Sequence, residues 1–206
     1  MKQDESVPLK TGRPRNFEQS EALNSAMLLF WKHGFETTSM SLLSKKMNMN
    51  PPSIYAAFGD KKSLFLKALE LYVGELSEIE TFLNDAASAF EATDNLLKQS
   101  AIRFTGKETP SGCMLASAVA SGSSEAKDAQ IKAAKIRFEI ESLLKRRIEK
   151  DIKNHVLPKS TSAEGLAGLA IATIQGMSVL ARDGASRKKI ILIAETSMLA
   201  WNKGKS

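Results

Sequence analysis

The sequence predicts an all-α chain in two parts: a compact N-terminal group of three helices and a larger helical C-terminal part. Three observations carry this. Apolar residues recur at helical spacing along the chain, and no run alternates apolar and polar residues in the period-two manner of a strand. Cap formers, Gly and Pro fall between the periodic segments, where helices would start and stop. The segment Thr37 to Phe65 is punctuated so closely that it reads as two short helices joined by a tight turn, followed by the start of a third. No internal repeat is present.

Residues 1–12 are polar and are expected to form a disordered tail. Gly12-Arg13-Pro14-Arg15 leads into the first helix, where Asn16 and Gln19 have the spacing of a capping pair. Leu23, Met27, Phe30 and Trp31 then form an apolar stripe at i, i+4, i+7 and i+8, and Gly34 ends the helix. Thr38 is placed to cap a short helix from about Ser39 to Met47, with Met40, Leu43 and Met47 inward. Asn48 stands where a left-handed turn residue is needed, a conformation Asn tolerates better than most. Asn50 caps the next helix, Pro51 to about Phe58. Its two prolines fit a first turn whose amides have no intrahelical partner anyway. Ile54 and Phe58 face inward, which leaves Ser53, Tyr55, Ala56 and Ala57 for other faces. A helix this small-sided and polar on its outer face suits entry into a DNA groove. Gly59 stops it, and Asp60 caps a helix starting at Lys61.

That fourth helix, with Leu64, Phe65, Ala68, Leu71 and Tyr72 along it, is expected to continue to about Ile79 and connect the two parts. A helix from about Asp94 to Gly106 follows, then a break at Thr109-Pro110-Ser111-Gly112. A short apolar helix from Cys113 to Ala120 and a polar stretch from Ser121 to Ser124 come next. A long amphipathic helix runs from about Ser124 to His155, with Ile131, Ala134, Phe138, Leu144 and Ile148 read as its inner face and Pro158 marking its end. Two helices close the chain, from about Ser162 to Asp183 and from about Ser186 to Trp201. Both are apolar on more than one face, which calls for cover on both sides.

The 206 residues carry a net charge of +6 and a pI near 9.4. Residues 1–67 hold ten Lys and Arg against six Asp and Glu, so most of the excess lies in the first third, where phosphate contacts would be needed. No apolar run is read as long enough to span a membrane, and no apolar signal region opens the chain. The single cysteine, Cys113, excludes an intramolecular disulfide framework and suits a reducing cytoplasm. No phosphate loop, nucleophile elbow or paired His–carboxylate arrangement marks an enzyme.

The stretch Arg13 to Leu71 resembles the DNA-binding domain of TetR-family transcriptional regulators, near the AcrR-type subgroup. The resemblance rests on AMLLFWKHGFETTS (Ala26 to Ser39), the turn MNMN and SIYAAFGDKKSLF (Ser53 to Phe65). Ser44 and Asn48 depart from the Ala and Gly usual in the family, and both are small or turn-tolerant replacements. The resemblance implies a helix-turn-helix domain over 13–60 and a helical effector-binding and dimerisation domain over 61–206. It implies a homodimer, double-stranded operator DNA and a small-molecule effector as partners, and no cofactor.

For DNA contact, Thr38 and Ser39 stand at a helix N-terminus that can bind phosphate, and Lys61 stands at the next one. Tyr55 matches the family's tyrosine that touches backbone phosphate. Pro51, Pro52 and Ser53 lie where the reading helix enters the major groove, the prolines offering apolar contacts such as those to thymine methyls. Lys45 and Lys46 are weaker candidates, and Arg13 and Arg15 read as a flexible arm for the minor groove. Phe82, Phe104, Cys113, Met114, Phe138 and Met177 are the candidate lining of an effector cavity. Leu166, Ala170, Ile174, Met177, Ile190, Ala194, Met198 and Trp201 are the candidate dimer interface, in a four-helix bundle made by two copies. The expected function is a cytoplasmic repressor released from a palindromic operator by its effector. The alternatives are a redox- or metal-responsive regulator acting through Cys113, with a soft copper(I) site at Cys113 and Met114 as the open metal chemistry, and a helical adaptor for proteins. A zinc site lacks a ligand set, since His33 and His155 are far apart in sequence.

Overall fold

The structure, a computed structural model, describes residues 15–117 and 124–204, with side chains over 19–117 and 126–201. The tail over 1–12, Arg13, the side chain of Arg15, and the Ala118 to Ser123 stretch lie outside that description. Among the described residues the secondary structure is entirely helical. The elements are α1 (Arg15–His33), α2 (Met40–Met47), α3 (Pro51–Phe58), α4 (Lys61–Val73), α5 (Leu76–Asp85), α6 (Ala89–Phe104), α7 (Met114–Ser117), α8 (Ser124–Lys153), α9 (Ala163–Arg182) and α10 (Arg187–Met198). A 3-10 stretch, Leu199–Gly204, ends them.

Local chemistry accounts for the first part. α1 begins at Arg15, so Asn16 lies inside it and is no cap. Ser39, and not Thr38, is the N-cap of α2 and accepts from the Leu42 amide at 3.1 Å. Asn48 ends α2 in the left-handed conformation at φ 53°. Asn50 caps α3 by accepting from the Ser53 amide, and Asp60 caps α4 by accepting from the Ser63 amide. The Ser63 amide, then its hydroxyl, hold the Asp60 carboxyl below the usual carboxylate range. α1, the α1–α2 connection and α4 meet in a core in which Phe30, Phe35 and Phe65 pack edge-on or stacked at 5.0–6.4 Å between ring centroids.

Three departures from the sequence reading concern the second part. α4 stops at Val73, because Gly74 takes a positive φ of 71° and its amide closes on the Glu70 carbonyl. α5 then starts at Leu76 as a separate helix. α6 starts at Ala89, five residues earlier than expected, because Ser88 caps it and the Glu91 carboxylate reaches back to the Ala87 amide. The inner face of α8 is Ala126, Ala129, Ala133, Ile136, Leu144 and Ile148, while Ile131 and Phe138 are exposed. Small alanines let α8 lie close to α4 and α7, which the larger side chains of the expected stripe would prevent.

Two apolar clusters form the core. The larger runs without interruption from α1 to α4 into α6, α7, the first half of α8, α9 and α10. The smaller joins α5, the start of α6, the second half of α8 and the start of α9. Inside the smaller one, the buried guanidinium of Arg147 pairs with the buried Asp151 carboxylate. It donates to the Leu83 carbonyl at 3.0 Å and the Ala86 carbonyl at 3.1 Å, while Asp151 accepts from the Ala89 amide at 2.7 Å. One ion pair thereby satisfies the end of α5 and the start of α6.

α9 is long and apolar enough, at 20 residues and a mean hydropathy of 1.3, to cross a membrane by those measures alone, contrary to the reading above. One of its faces, with Ala167, Ala170, Ile174 and Met177, is buried in the core.

Candidate nucleic-acid interface and internal cavity

The α2–α3 unit presents its polar and small residues outward. Ser39, Pro51, Pro52, Ser53 and Tyr55 are exposed, Tyr55 by half of its surface, and so are Lys45 and Lys46 in the last turn of α2. Ile54 and Phe58, four residues apart, hold α3 to the core from behind. Lys61 is half-buried. Its ammonium lies 4.5 Å from the centre of the Phe35 ring and donates to the Glu36 carbonyl at 3.3 Å, which leaves donors for an incoming anion. Thr38 is a correction to the candidate set. It is fully buried, and its hydroxyl donates to the Gly34 carbonyl at 2.6 Å, so it braces the α1–α2 corner and cannot reach a phosphate.

Behind this unit, a cavity of about 450 Å³ opens between α4, α5, α6, α8 and α9. Ile79, Phe82, Leu96, Phe104, Ile140, Ile171 and Ile174 give it an apolar wall, and Gln99, Ser100, Gln175, Arg103, Arg137, Glu78, Tyr72 and Cys113 add polar groups. Of the expected lining residues, the structure places Phe82, Phe104 and Cys113 on this wall. Met114 and Met177 are fully buried in the core without lining it. Phe138 is two thirds exposed, on the outer side of α8. It lies about 200° around the helix from Ile136, which points inward. Sequence reasoning missed Arg137, although a signal was there: it interrupts the stripe Ala133, Ile140, Leu144 with a charge.

The cavity is joined to α1 by a compact polar junction. The Tyr72 hydroxyl donates to the Cys113 thiol at 3.4 Å, and burial, followed by the neighbouring Cys113, raises the pKa of that phenol well above its ordinary value. The Trp31 indole donates to the Gly112 carbonyl at 3.0 Å and packs edge-on against Tyr72 at 4.8 Å. Arg103 lays its guanidinium over Tyr72 at 4.2 Å and over Trp31 at 5.6 Å. Arg182 donates to the carbonyls of Trp31 at 3.0 Å and Cys113 at 3.2 Å, and the Cys113 amide donates to the Ser178 hydroxyl at 2.7 Å.

The expected dimer residues Ala170, Ile174, Met177, Ile190, Ala194 and Met198 are buried inside one chain, and Leu166 and Trp201 are half-buried. They are the inward faces of α9 and α10, so that assignment is corrected. The outward faces carry Leu169, Ala172, Gly176 and Val179 on α9, and Leu192, Thr196 and Leu199 next to them in α10 and beyond.

Comparison with known proteins bears on what the two regions do. The family model described as bacterial regulatory proteins, tetR family, matches residues 22–68. The HTH-type transcriptional repressor ComR of Escherichia coli (strain K12) is 31% identical over 199 residues, 95% of this chain and 94% of ComR. The HTH-type transcriptional repressor BdcR of the same organism is 36% identical over 118 residues, 57% of this chain and 60% of BdcR. Among solved structures, a cysteine mutant of the regulator CifR bound to 26-bp double-strand operator DNA superposes with a TM-score of 0.85 and 34% identity. That match covers 92% of this chain and 100% of the CifR chain.

Proposed function

The chain belongs to the TetR family of transcriptional regulators, and from that premise we propose how its DNA-binding unit, cavity and outer helix faces work together as an effector-released repressor. It is a DNA-binding regulator of transcription and not an enzyme, and double-stranded DNA is its partner. The single observation that carries the finer reading is the junction at Trp31. The same side chains that wall the cavity, Tyr72, Arg103 and Cys113, lie against or one residue from the partners of the C-terminal end of α1, the helix on which α2 packs, while α3 is held by α2 and α4.

On the DNA side, α3 enters the major groove at Pro51 to Ser53. The prolines give no hydrogen-bond donor, so readout there leans on methyl contacts and DNA shape. Ser39, Tyr55 and Lys61 hold phosphates on either side. Two copies bind a palindromic operator, which requires a two-fold dimer. The outward face of α9 supports one: Leu169, Ala172, Gly176 and Val179 follow helical spacing, and a side chain added at Gly176 would meet nothing within 4 Å. Leu192 and Leu199, each about 60% exposed, extend the patch. The protein acts in the cytoplasm, where its DNA partner is.

On the effector side, an occupant of the cavity presses on Tyr72 and Val73 at the end of α4 while Lys61 stands at its start. α4 is tied to α8 by Lys62–Asp128 and Lys132–Glu70, so the two shift together and change the spacing of the two reading helices. The effector releases DNA only if it prefers the non-binding spacing. The test is a gel shift with an operator selected from random duplexes. Tyr55→Ala with Lys61→Ala weakens binding by about tenfold or more and flattens the dependence on salt, while the dimer persists in sizing chromatography. Unchanged affinity sinks the assignment.

A further inference from the structure

We propose that the cavity takes a small organic anion, a carboxylate on an apolar body, held by Arg137 and Arg103 on its wall. This deepens the effector reading above and rests on it for its regulatory meaning.

From Lys132 to Arg147, α8 carries six basic residues. Five of them reach a carboxylate: Lys132 at Glu70, Lys135 at Glu139, Lys145 at Glu164, Arg146 at Glu80 and Arg147 at Asp151. Arg137, half-buried on the cavity wall, has no such partner among the described residues. It donates through Nη1 to the Leu115 carbonyl at 2.7 Å, which holds the side chain in place without neutralising it. Burial lowers its pKa from the usual arginine value, and the neighbouring Cys113 opposes that only in part.

Arg103, more exposed than Arg137, likewise meets no carboxylate among the described residues. One Nη2 donation goes to the Tyr72 carbonyl at 3.1 Å, and its planar face lies on Tyr72 and Trp31. The remaining charge on the wall is Glu78, an exposed carboxylate on α5. Two guanidinium groups therefore face one solvated carboxylate. A planar fork of donors matches a carboxylate better than it matches any neutral head group. The apolar wall of Ile79, Phe82, Ile140 and Ile171 suits an alkyl or aryl body, and 450 Å³ is ample for a small one. Because Arg103 also lies on Trp31, the head group engages the side chain that reaches α1.

The test uses the full-length protein and three probes with the same apolar body: octanoate, 1-octanol and octylamine. Calorimetric titration at neutral pH gives the affinities, and anisotropy of a labelled selected operator gives DNA release. Octanoate is expected to bind about ten- to a hundredfold more tightly than either of the others, the ratio a charge-assisted pair supplies. Arg137→Gln brings the three within about threefold of each other, and Arg137→Lys restores part of the preference. A preference for octanol or octylamine, a preference that survives Arg137→Gln, or binding of none of the three overturns the proposal. Selective octanoate binding that leaves operator affinity untouched upholds the anion site and sinks the effector reading. Release by octanol as strong as by octanoate upholds the effector reading and overturns the anion site.

Discussion

Replacing Gly112 with alanine adds one methyl group where there is no room for it. Gly112 lies between Pro110 and α7, with a positive φ of 77°. Its amide donates to the Phe104 carbonyl at 3.0 Å and its carbonyl accepts from the Trp31 indole. A Cβ built there would stand 2.8 Å from the Ser178 carbonyl oxygen, 2.8 Å from Arg182 Nε and 2.9 Å from Arg182 Cγ. Arg182 can move only by giving up its bonds to Trp31 and Cys113, and the Ser178 oxygen belongs to the backbone of α9. Gly184 is the natural control. Its φ of 87° imposes the same backbone strain, but an added Cβ meets nothing within 4 Å. Gly184→Ala should therefore cost only the left-handed penalty, about 1–2 kcal/mol. Gly112→Ala should cost that plus an overpacking term of about 1–3 kcal/mol, roughly 2–5 kcal/mol in all. Urea melts at one fixed protein concentration measure both, with an unchanged slope showing that stability alone has moved. If Gly112→Ala loses no more than Gly184→Ala, the junction is not packed as described, and the coupling assigned to it loses its physical basis.

Three further expectations can be checked on the same protein. Arg147→Ala leaves the Asp151 carboxylate buried without its partner and removes donors from the Leu83 and Ala86 carbonyls, so urea melts should show a loss of ~3–5 kcal/mol. Gly176→Glu should convert dimer to monomer in light scattering, with helical circular dichroism unchanged, since its Cβ has open space within one chain; a persistent dimer would move the interface elsewhere. Tyr72 has a raised pKa in the folded chain, so its protonated form favours the fold. The stability it contributes is full below the ordinary phenol value of about 10 and is lost as pH climbs above it. Melts from about pH 8 to 10.5 should fall more steeply for the native protein than for Tyr72→Phe, and parallel curves would refute the assignment.

Where sequence and structure agree, the signals are local. The turn unit is legible because each boundary is written within three or four residues: Asn48 for the left-handed turn, Asn50 and Asp60 as caps, Gly59 as the stop. The capping pair at Ser88 and Glu91 was equally local and marks the true start of α6. The misreadings have a different origin. Ile131 and Phe138 look like core because they are large, yet α8 turns its alanines inward, where close helix approach is worth more than bulk. Thr38 looks like a free hydroxyl at a helix start, but the corner folds over it and the hydroxyl donates to the Gly34 carbonyl.

The chain by itself determined most of the helices, the caps at Asn50 and Asp60, the three-helix turn unit and the family to which that unit belongs, because these follow from backbone sterics and short-range hydrogen bonds, whereas the break between α4 and α5 and the true start of α6 were read only from the structure. Only the tertiary structure decided which apolar face of α9 and α10 points into the core and which points out, and that Arg137, sixty-five residues from Tyr72, shares a cavity wall with it. A helix apolar nearly all round has no preferred rotation on its own. Its orientation is set by the neighbours it must fit, and those neighbours come from the whole length of the chain.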